Sequence, residues 1–305
     1  MANDAEISLN ERNFVKEALK NGFRLNERGF HEMRKPKITI DKNGYGFVEV
    51  ELGKTKLAVR VSCEVVKPYE NRPFEGIFTI NTEISPMASP MFENGKNSDD
   101  EVLISRFIEK AVTRSNALDL ESLCIIAGEK VWHIRADVNY LSYDGGFIDA
   151  TCIGVMTALQ HFKKPDVSIN GTELVVHDFG ERQPVSLTIL HVPICITYSF
   201  FNPVDREENI KGEDSSEIAI MDADRAEELV RDGLLVLTLN KNRELIQVSK
   251  NGGLPIDGLA LIELTKRAND VCQRLTEEIK ELLQAEEQER YKSGNLHLLE
   301  VGASR

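Results

Sequence analysis

Asp144-Gly-Gly-Phe-Ile-Asp-Ala150 lies inside the stretch that decides the fold, which runs from Asp100 to Phe162. The spacing of apolar residues in this stretch predicts a helix over Asp100–Arg114 and a β-hairpin over Leu123–Leu141. The two glycines then predict a tight turn, and a second helix follows over Asp149–Phe162. We therefore expect the rest of the chain to pack around this unit of helix, hairpin and helix.

The first of these helices carries a stripe of positive charge. Arg106, Lys110 and Arg114 are spaced four residues apart, so on an α-helix all three project from one side. Cations directed at a phosphate backbone can hold RNA of any sequence. The alternative is that they belong to an ordinary solvated helix face, as most surface lysines and arginines do.

The glycine turn delivers the chain to the start of the second helix, where unpaired backbone N–H groups can bind an anion. The residues that follow are Phe147, Ile148 and Asp149. A bulky ring and an aliphatic chain fill space, and a carboxylate is expected to repel an incoming phosphate. The sequence therefore argues against an anion pocket at this turn.

The composition is that of an ordinary globular protein with an acidic surface. The chain has 305 residues, 41% hydrophobic and 29% charged, and a formal net charge of −13. Because phosphate contacts need Lys or Arg, any RNA contact has to come from a local basic stripe. The five cysteines are scattered, and with no signal peptide or membrane span in the sequence we expect reduced thiols in an intracellular protein.

The order of predicted elements divides the chain into two related βα halves. An N-terminal helix (9–21) precedes a first half at about 24–162, and a seam at Lys163–Gly171 leads to a second half at about 172–285. Predicted in the second half are a strand over Val185–Phe201, a helix over Asp222–Asp232, a hairpin over Leu234–Val248 and a long amphipathic helix over Ile256–Ala285. Residues 286–305 form a charged tail with a short apolar piece that could dock on a neighbour.

One predicted strand has a polar face that allows two interpretations. Along Val131–Leu141, His133, Arg135, Asp137 and Asn139 alternate with apolar residues. A face of this composition could be an active site, but a solvated or subunit-facing surface is the commoner explanation.

Several motifs in order resemble the RNase PH family. They are the run Ile108–Leu120, Gly128-Glu-Lys-Val-Trp, Ala136-Asp-Val and the glycine turn through Ala150. Within the family, the chain is similar to the non-catalytic ring subunits of the RNA exosome. The resemblance spans about 14–283 and implies an α+β, RNase PH-like fold (ribosomal protein S5 domain 2-like) with mixed sheets packed against helices. It also implies one RNase PH-like domain over 1–285.

The resemblance assigns roles to the basic helix and to partners. Lys110 and Arg114 match positions that line a central pore for single-stranded RNA, and Arg106 lies one turn earlier as the weaker match. The implied partners are a second RNase PH-like subunit in a six-membered ring, cap subunits of S1/KH type and a hydrolytic nuclease. The implied location is the nucleus, including the nucleolus, and the cytoplasm.

Catalytic residues of the family are missing from this chain. Active members hold inorganic phosphate with a Thr-Arg pair directly after the two glycines, where this chain has Phe147 and Ile148. A bidentate phosphate grip needs that Arg. The family's general acid falls near Ser215, with Asp214 beside it. The sequence also lacks the common metalloprotease, hydrolase and P-loop motifs.

We therefore predict a structural, RNA-guiding subunit with no catalytic residue, metal or cofactor. Two alternatives stay open: a residual phosphorolytic 3′-to-5′ exoribonuclease, and a scaffold without RNA contact.

Overall fold

The computed structural model describes residues 7–42, 44–92, 98–170, 173–179, 181–202 and 217–303. Two β-sheets lie on either side of a buried central helix, α3 (Phe147–His161). This helix packs against β2 and β3 of the first sheet and against β11 of the second. It is buried almost all round, as its apolar composition requires, and it joins both sheets into one hydrophobic core.

The first sheet has six strands. Five follow the order β1-β2-β3-β6-β4, and β5 pairs with the first residues of β6. All pairs are antiparallel except β4 and β6, so the sheet is mixed, as predicted. Its strands are β1 (Pro36–Ile40), β2 (Phe47–Leu52), β3 (Thr55–Val66), β4 (Ile77–Ile84), β5 (Cys124–Ile126) and β6 (Lys130–Ser142).

The second sheet has four strands in the order β12-β11-β13-β14. All of its pairs are antiparallel, so the prediction of mixed sheets holds only for the first half. Its strands are β11 (Ile194–Phe201), β12 (Ile218–Met221), β13 (Gly233–Leu239) and β14 (Leu245–Gly252). Two small ribbons pair β7 (Lys163–Lys164) with β10 (Val185–Ser186) and β8 (Val167–Asn170) with β9 (Glu173–Val176).

Helices α1 (Leu9–Lys20) and α2 (Asp99–Glu109) both begin with a capping box. Each is capped by a serine and a glutamate three residues later, which satisfy each other's backbone N–H groups. Glu101 of α2 also accepts a hydrogen bond from the Ile84 N–H, which ties this helix to β4. The predicted N-terminal helix and the predicted basic helix are both confirmed.

Several predicted boundaries in the second half are wrong. The strand predicted over Val185–Phe201 is interrupted, because Pro193 has no N–H to donate to a sheet and β11 begins only after it. The helix predicted over Asp222–Asp232 shrinks to the single turn α4 (Arg225–Glu228). The predicted seam contains β7 and β8 rather than a plain linker.

The last helix, α5 (Gly258–Ala303), does not end at Ala285 as predicted. The apolar pattern fades near that residue, but an ion pair between Glu286 and Arg290, one turn apart, supports the continuing helix.

Candidate nucleic-acid interface

The three predicted RNA-binding cations lie at the surface, at the end of α2 and in the turn that follows. Arg106, Lys110 and Arg114 all have exposed side chains, whereas Ile104, Phe107, Ile108, Ala111 and Val112 between them are buried. The stripe is therefore on the solvent face of a helix whose other face is fixed in the core.

The last two cations do not continue a regular α-helix. Residues Lys110–Arg114 form a π-helical turn, in which the Ala117 N–H donates to the Val112 carbonyl at 3.0 Å. The wider turn changes the angle between successive side chains, so the strict spacing argument used for Arg114 does not apply. The three side chains are all exposed, but they do not project from exactly one side of a regular helix.

The charges of the three cations are not equally available. The Arg106 Nη1 lies 3.0 Å from Glu109 Oε2. The side chains of Lys110 and Arg114 form no hydrogen bond or ion pair within the part of the chain that the structure describes. The net positive charge of this surface therefore comes from Lys110 and Arg114.

The predicted glycine turn is a close contact between two parts of the chain. Gly145 and Gly146 have φ values of +76° and +72°, which favour glycine. A Cβ on Gly145 would lie 2.6 Å from the Ala223 carbonyl oxygen. The turn is also held by Thr55, whose hydroxyl donates to the Gly145 carbonyl at 2.7 Å and accepts from the Asp144 N–H at 3.0 Å.

A side chain of the protein occupies the anion position at the start of α3. The Gly146 N–H donates to Glu228 Oε1 at 3.1 Å, and the Tyr143 hydroxyl donates to Glu228 Oε2 at 3.0 Å. Burial raises the pKa of Glu228 despite the nearby Arg231 guanidinium. An environment that already disfavours one carboxylate would disfavour an added phosphate still more.

Phe147 fills the turn, as predicted. Its ring is 7% exposed and lies 4.4 Å, centroid to centroid, from the rings of both Tyr140 and Tyr143. Ile148 is partly buried and packs against the same core. A cavity of about 80 Å³ remains beside them, and its polar lining includes Asp100 and Glu228 with a single cation, Arg231. Arg231 is itself 3.4 Å from Glu228 Oε1.

The prediction that the Asp149 carboxylate repels an incoming phosphate is wrong. Its side chain is fully buried rather than facing a phosphate, and it accepts hydrogen bonds from the Thr197 N–H at 3.1 Å and the Thr197 hydroxyl at 2.5 Å. Burial raises its pKa to about 8, against the opposing effect of the Thr197 hydrogen bonds. Asp149 is therefore largely protonated at neutral pH, and it joins α3 to β11 instead of repelling an anion.

This buried carboxyl makes stability depend on pH. Because its folded pKa of about 8 exceeds the unfolded value, its contribution to stability is greatest at low pH and is lost as pH rises to about 8. Between pH 6 and pH 8 the wild type should lose about 2 kcal/mol more unfolding free energy than Asp149→Asn, which can still accept the Thr197 N–H bond. Urea unfolding at several pH values measures this, and equal slopes for the two proteins would contradict it.

An arginine cluster holds the N-terminal segment against α4 and the residues that precede it. Arg24 forms a buried ion pair with Glu227 at 2.6 Å, and Arg34 lies 2.6 Å from Asp222. Arg28 bridges Asp222 and Asp224. Burial alone would raise the pKa of Asp222, but the hydrogen bonds and charge of Arg34 outweigh it and the pKa is lowered.

The arginine cluster also reaches the glycine turn, since Arg34 Nη1 donates to the Asp144 carbonyl at 3.0 Å. Asp222 and Glu228 are thus the carboxylates brought closest to the turn, and the sequence did not identify either. They are about eighty positions away from the turn in sequence, so no local pattern indicates that they contact it. The predicted acid position near Asp214 and Ser215 lies outside the described residues.

The polar face of β6 looks like a surface rather than an active site. His133 lies between Thr79 Oγ1 at 2.9 Å and Glu64 Oε1 at 3.2 Å, and Arg135 pairs with Asp137 at 2.8 Å. Strand β6 is paired on one side with β3 and on the other with β4, so its own backbone N–H groups are not available to stabilise an oxyanion.

The described residues contain no group of three or more His, Cys, Asp or Glu side chains placed to hold a metal ion. Within the same residues, no helix has the length and apolar character needed to span a membrane.

The mixed sheet, the buried central helix and the glycine turn define a protein of the RNase PH class. Residues 32–165 match the model of the 3′ exoribonuclease family, domain 1. The chain belongs to the family of exosome complex components RRP45. The member from Saccharomyces cerevisiae is 55% identical over 293 residues, 96% of each chain, and that from Schizosaccharomyces pombe is 47% identical over 89% of each.

The fold is similar to that of solved archaeal exosome subunits. A chain of the Archaeoglobus fulgidus exosome, determined with RNA bound to the active site, superimposes with a TM-score of 0.72 at 27% identity. The match covers 88% of this chain and 97% of the archaeal one. The predicted α+β, RNase PH-like fold is therefore confirmed.

Proposed function

We propose that this chain is a structural and RNA-guiding subunit of the RNase PH-like ring of the RNA exosome and does not itself cleave RNA. The family membership supports the place in a multisubunit exosome ring. The single observation that carries the absence of catalysis is the Glu228 carboxylate on the Gly146 N–H, next to the Phe147 ring.

The RNA-guiding part of the proposal rests on Lys110 and Arg114. They are exposed and without a partner in the described chain, and they extend from a helix whose buried face is fixed by the core. On a protein of net charge −13, such a cationic surface favours contact with a phosphate backbone. Arg106 is part of the same surface, but Glu109 offsets its charge.

The proposed partners follow from the ring. We expect a second RNase PH-like subunit to form a heterodimer with this chain, cap subunits of S1/KH type to lie above the ring, and an associated hydrolytic nuclease to perform 3′-to-5′ decay. RNA would thread as a single strand through the central channel. The proposed sites of action are the nucleus, including the nucleolus, and the cytoplasm.

The proposed domain spans 1–285, with halves at about 24–162 and 172–285 that share one core. Residues 286–305 are proposed as a charged tail that docks on a partner, and the part of it up to Ala303 continues helix α5.

Crosslinking tests the guiding role. A 4-thiouridine-labelled single strand, added to the ring reconstituted with its partner subunits, should crosslink to peptides that contain Lys110 or Arg114. Native mass measurement of the same sample checks that the ring is complete. Crosslinks to this chain that avoid residues 106–114 would favour the scaffold without RNA contact on this helix.

A further inference from the structure

Near Arg290, helix α5 is held against the rest of the protein by a partly buried contact of this arginine and by two exposed ion pairs, Lys42 with Glu289 and Lys163 with Glu287, each at 3.1 Å. Arg290 Nη2 donates to the carbonyl oxygens of Asp41 and Gly44, each at 3.1 Å, in the connection between β1 and β2. Its guanidinium lies 4.2 Å from the centre of the Tyr45 ring, and its Nε donates to Glu286 Oε1 at 2.7 Å. Planar guanidinium groups combine hydrogen bonding with stacking in this way.

The arginine rests on a buried histidine. His161, the last residue of α3, is 4% exposed, and its Nδ1 accepts a hydrogen bond from the Gly46 N–H at 3.1 Å. A nitrogen that accepts a hydrogen bond carries no proton, so the proton of the neutral ring is on Nε2. This atom is 3.6 Å from Glu286 Oε2 and 3.3 Å from Arg290 Nη2.

Protonation of His161 would disrupt its contacts with the Gly46 N–H and with Arg290. A proton on Nδ1 would oppose the Gly46 N–H, and the new charge would lie beside the Arg290 guanidinium. The charged groups that face the ring are Glu286 and Arg290 on α5, Lys163 on β7 and Asp41 before β2. Burial lowers the pKa of His161, Arg290 and Lys163 act in the same direction, and Glu286 and Asp41 oppose them.

We infer that Arg290, Glu286 and His161, together with Asp41, Gly44 and Gly46, form a latch that holds α5 near Arg290 against the domain, and that the latch opens when His161 gains a proton. The segment that covers His161 and the residues before β2 is thus helix α5 of the same chain. The latch sets the direction in which residues beyond Arg290 leave the domain. It is independent of the proposed RNA contact, which involves a different helix.

Hydrogen exchange tests the latch in the full chain, alone or assembled. Protection factors, corrected for the intrinsic effect of pH, are measured for the Gly46 amide and for amides 286–290. In the wild type, opening should increase by up to about tenfold between pH 7.5 and pH 5.5, because an open latch restores an ordinary histidine pKa. Arg290→Ala should open both segments at either pH, by about tenfold.

Two further variants separate a latch from general loosening. His161→Asn offers a carbonyl oxygen in place of Nδ1 and cannot titrate, so it should keep Gly46 protected and abolish the pH effect. Arg274→Ala is the control, since this α5 side chain is exposed and, among the described residues, donates a hydrogen bond only to the Asp270 carbonyl. The inference is overturned if Arg290→Ala leaves both segments as protected as Arg274→Ala does, or if the pH effect survives in His161→Asn.

Discussion

Replacing Lys110 and Arg114 together with glutamate is expected to weaken binding of single-stranded RNA by the assembled ring by about 10- to 100-fold at low salt. Both side chains are exposed and lack partners in the described chain, so the change converts two available cations into two anions along the proposed RNA path. Fluorescence anisotropy with a labelled strand long enough to enter the channel measures the affinity. The dependence of affinity on salt should also become shallower.

The matched control makes the same change in net charge elsewhere. Arg274→Glu with Lys280→Glu alters two exposed cations of α5 and should leave RNA affinity within about twofold, because screening limits the effect of distant charges. Arg106→Ala should weaken binding less than Lys110→Ala, since Glu109 already offsets Arg106. If the two double variants weaken binding equally, α2 has no special role in holding RNA.

Restoring the missing Thr-Arg pair is expected to leave the protein inactive. In Phe147→Thr with Ile148→Arg, the Glu228 carboxylate still accepts the Gly146 N–H, and the new arginine should pair with Glu228 instead of with phosphate. We expect phosphate-dependent cleavage of RNA to stay at least about 100-fold below that of an active phosphorolytic ring. Release of nucleoside diphosphates, followed by thin-layer chromatography, measures this.

Removing the Glu228 carboxylate in addition to the two substitutions should restore binding of inorganic phosphate. The triple variant that adds Glu228→Ala is expected to bind inorganic phosphate measurably by calorimetry, whereas the double variant is not. The control is Glu228→Ala alone, which frees the Gly146 N–H but keeps the Phe147 ring in the turn. Strong phosphate binding by the double variant would show that Glu228 does not occupy the site.

Local pattern was enough to predict the framework of the first half. The capping serine and glutamate pairs, the alternating strands and the double glycine each carry their signal within a few residues. This is why α3 was found with errors of one or two positions and why α2 begins one residue before its predicted start, although it ends at Glu109 instead of Arg114. The strand β1 was missed although Ile38 and Ile40 alternate with Lys37 and Thr39, because it is only five residues long and begins with a proline.

The features that decide the site are instead long-range. Glu228 reaches Gly146 from another element, and Arg34 meets Asp222 across most of the chain. Asp149 looked like an exposed charge because sequence does not reveal that β11 covers it with Thr197. The π-helical turn after α2, with its hydrogen bond from the Ala117 N–H to the Val112 carbonyl, was likewise not predicted.

The occupied turn at Gly146 is tested most directly by asking whether phosphate lets this chain degrade RNA. The isolated chain, and the heterodimer with its RNase PH-like partner, are incubated with single-stranded RNA with and without inorganic phosphate. We predict no nucleoside diphosphate above the phosphate-free blank. Steady phosphate-dependent release by the isolated chain would contradict this account of the turn.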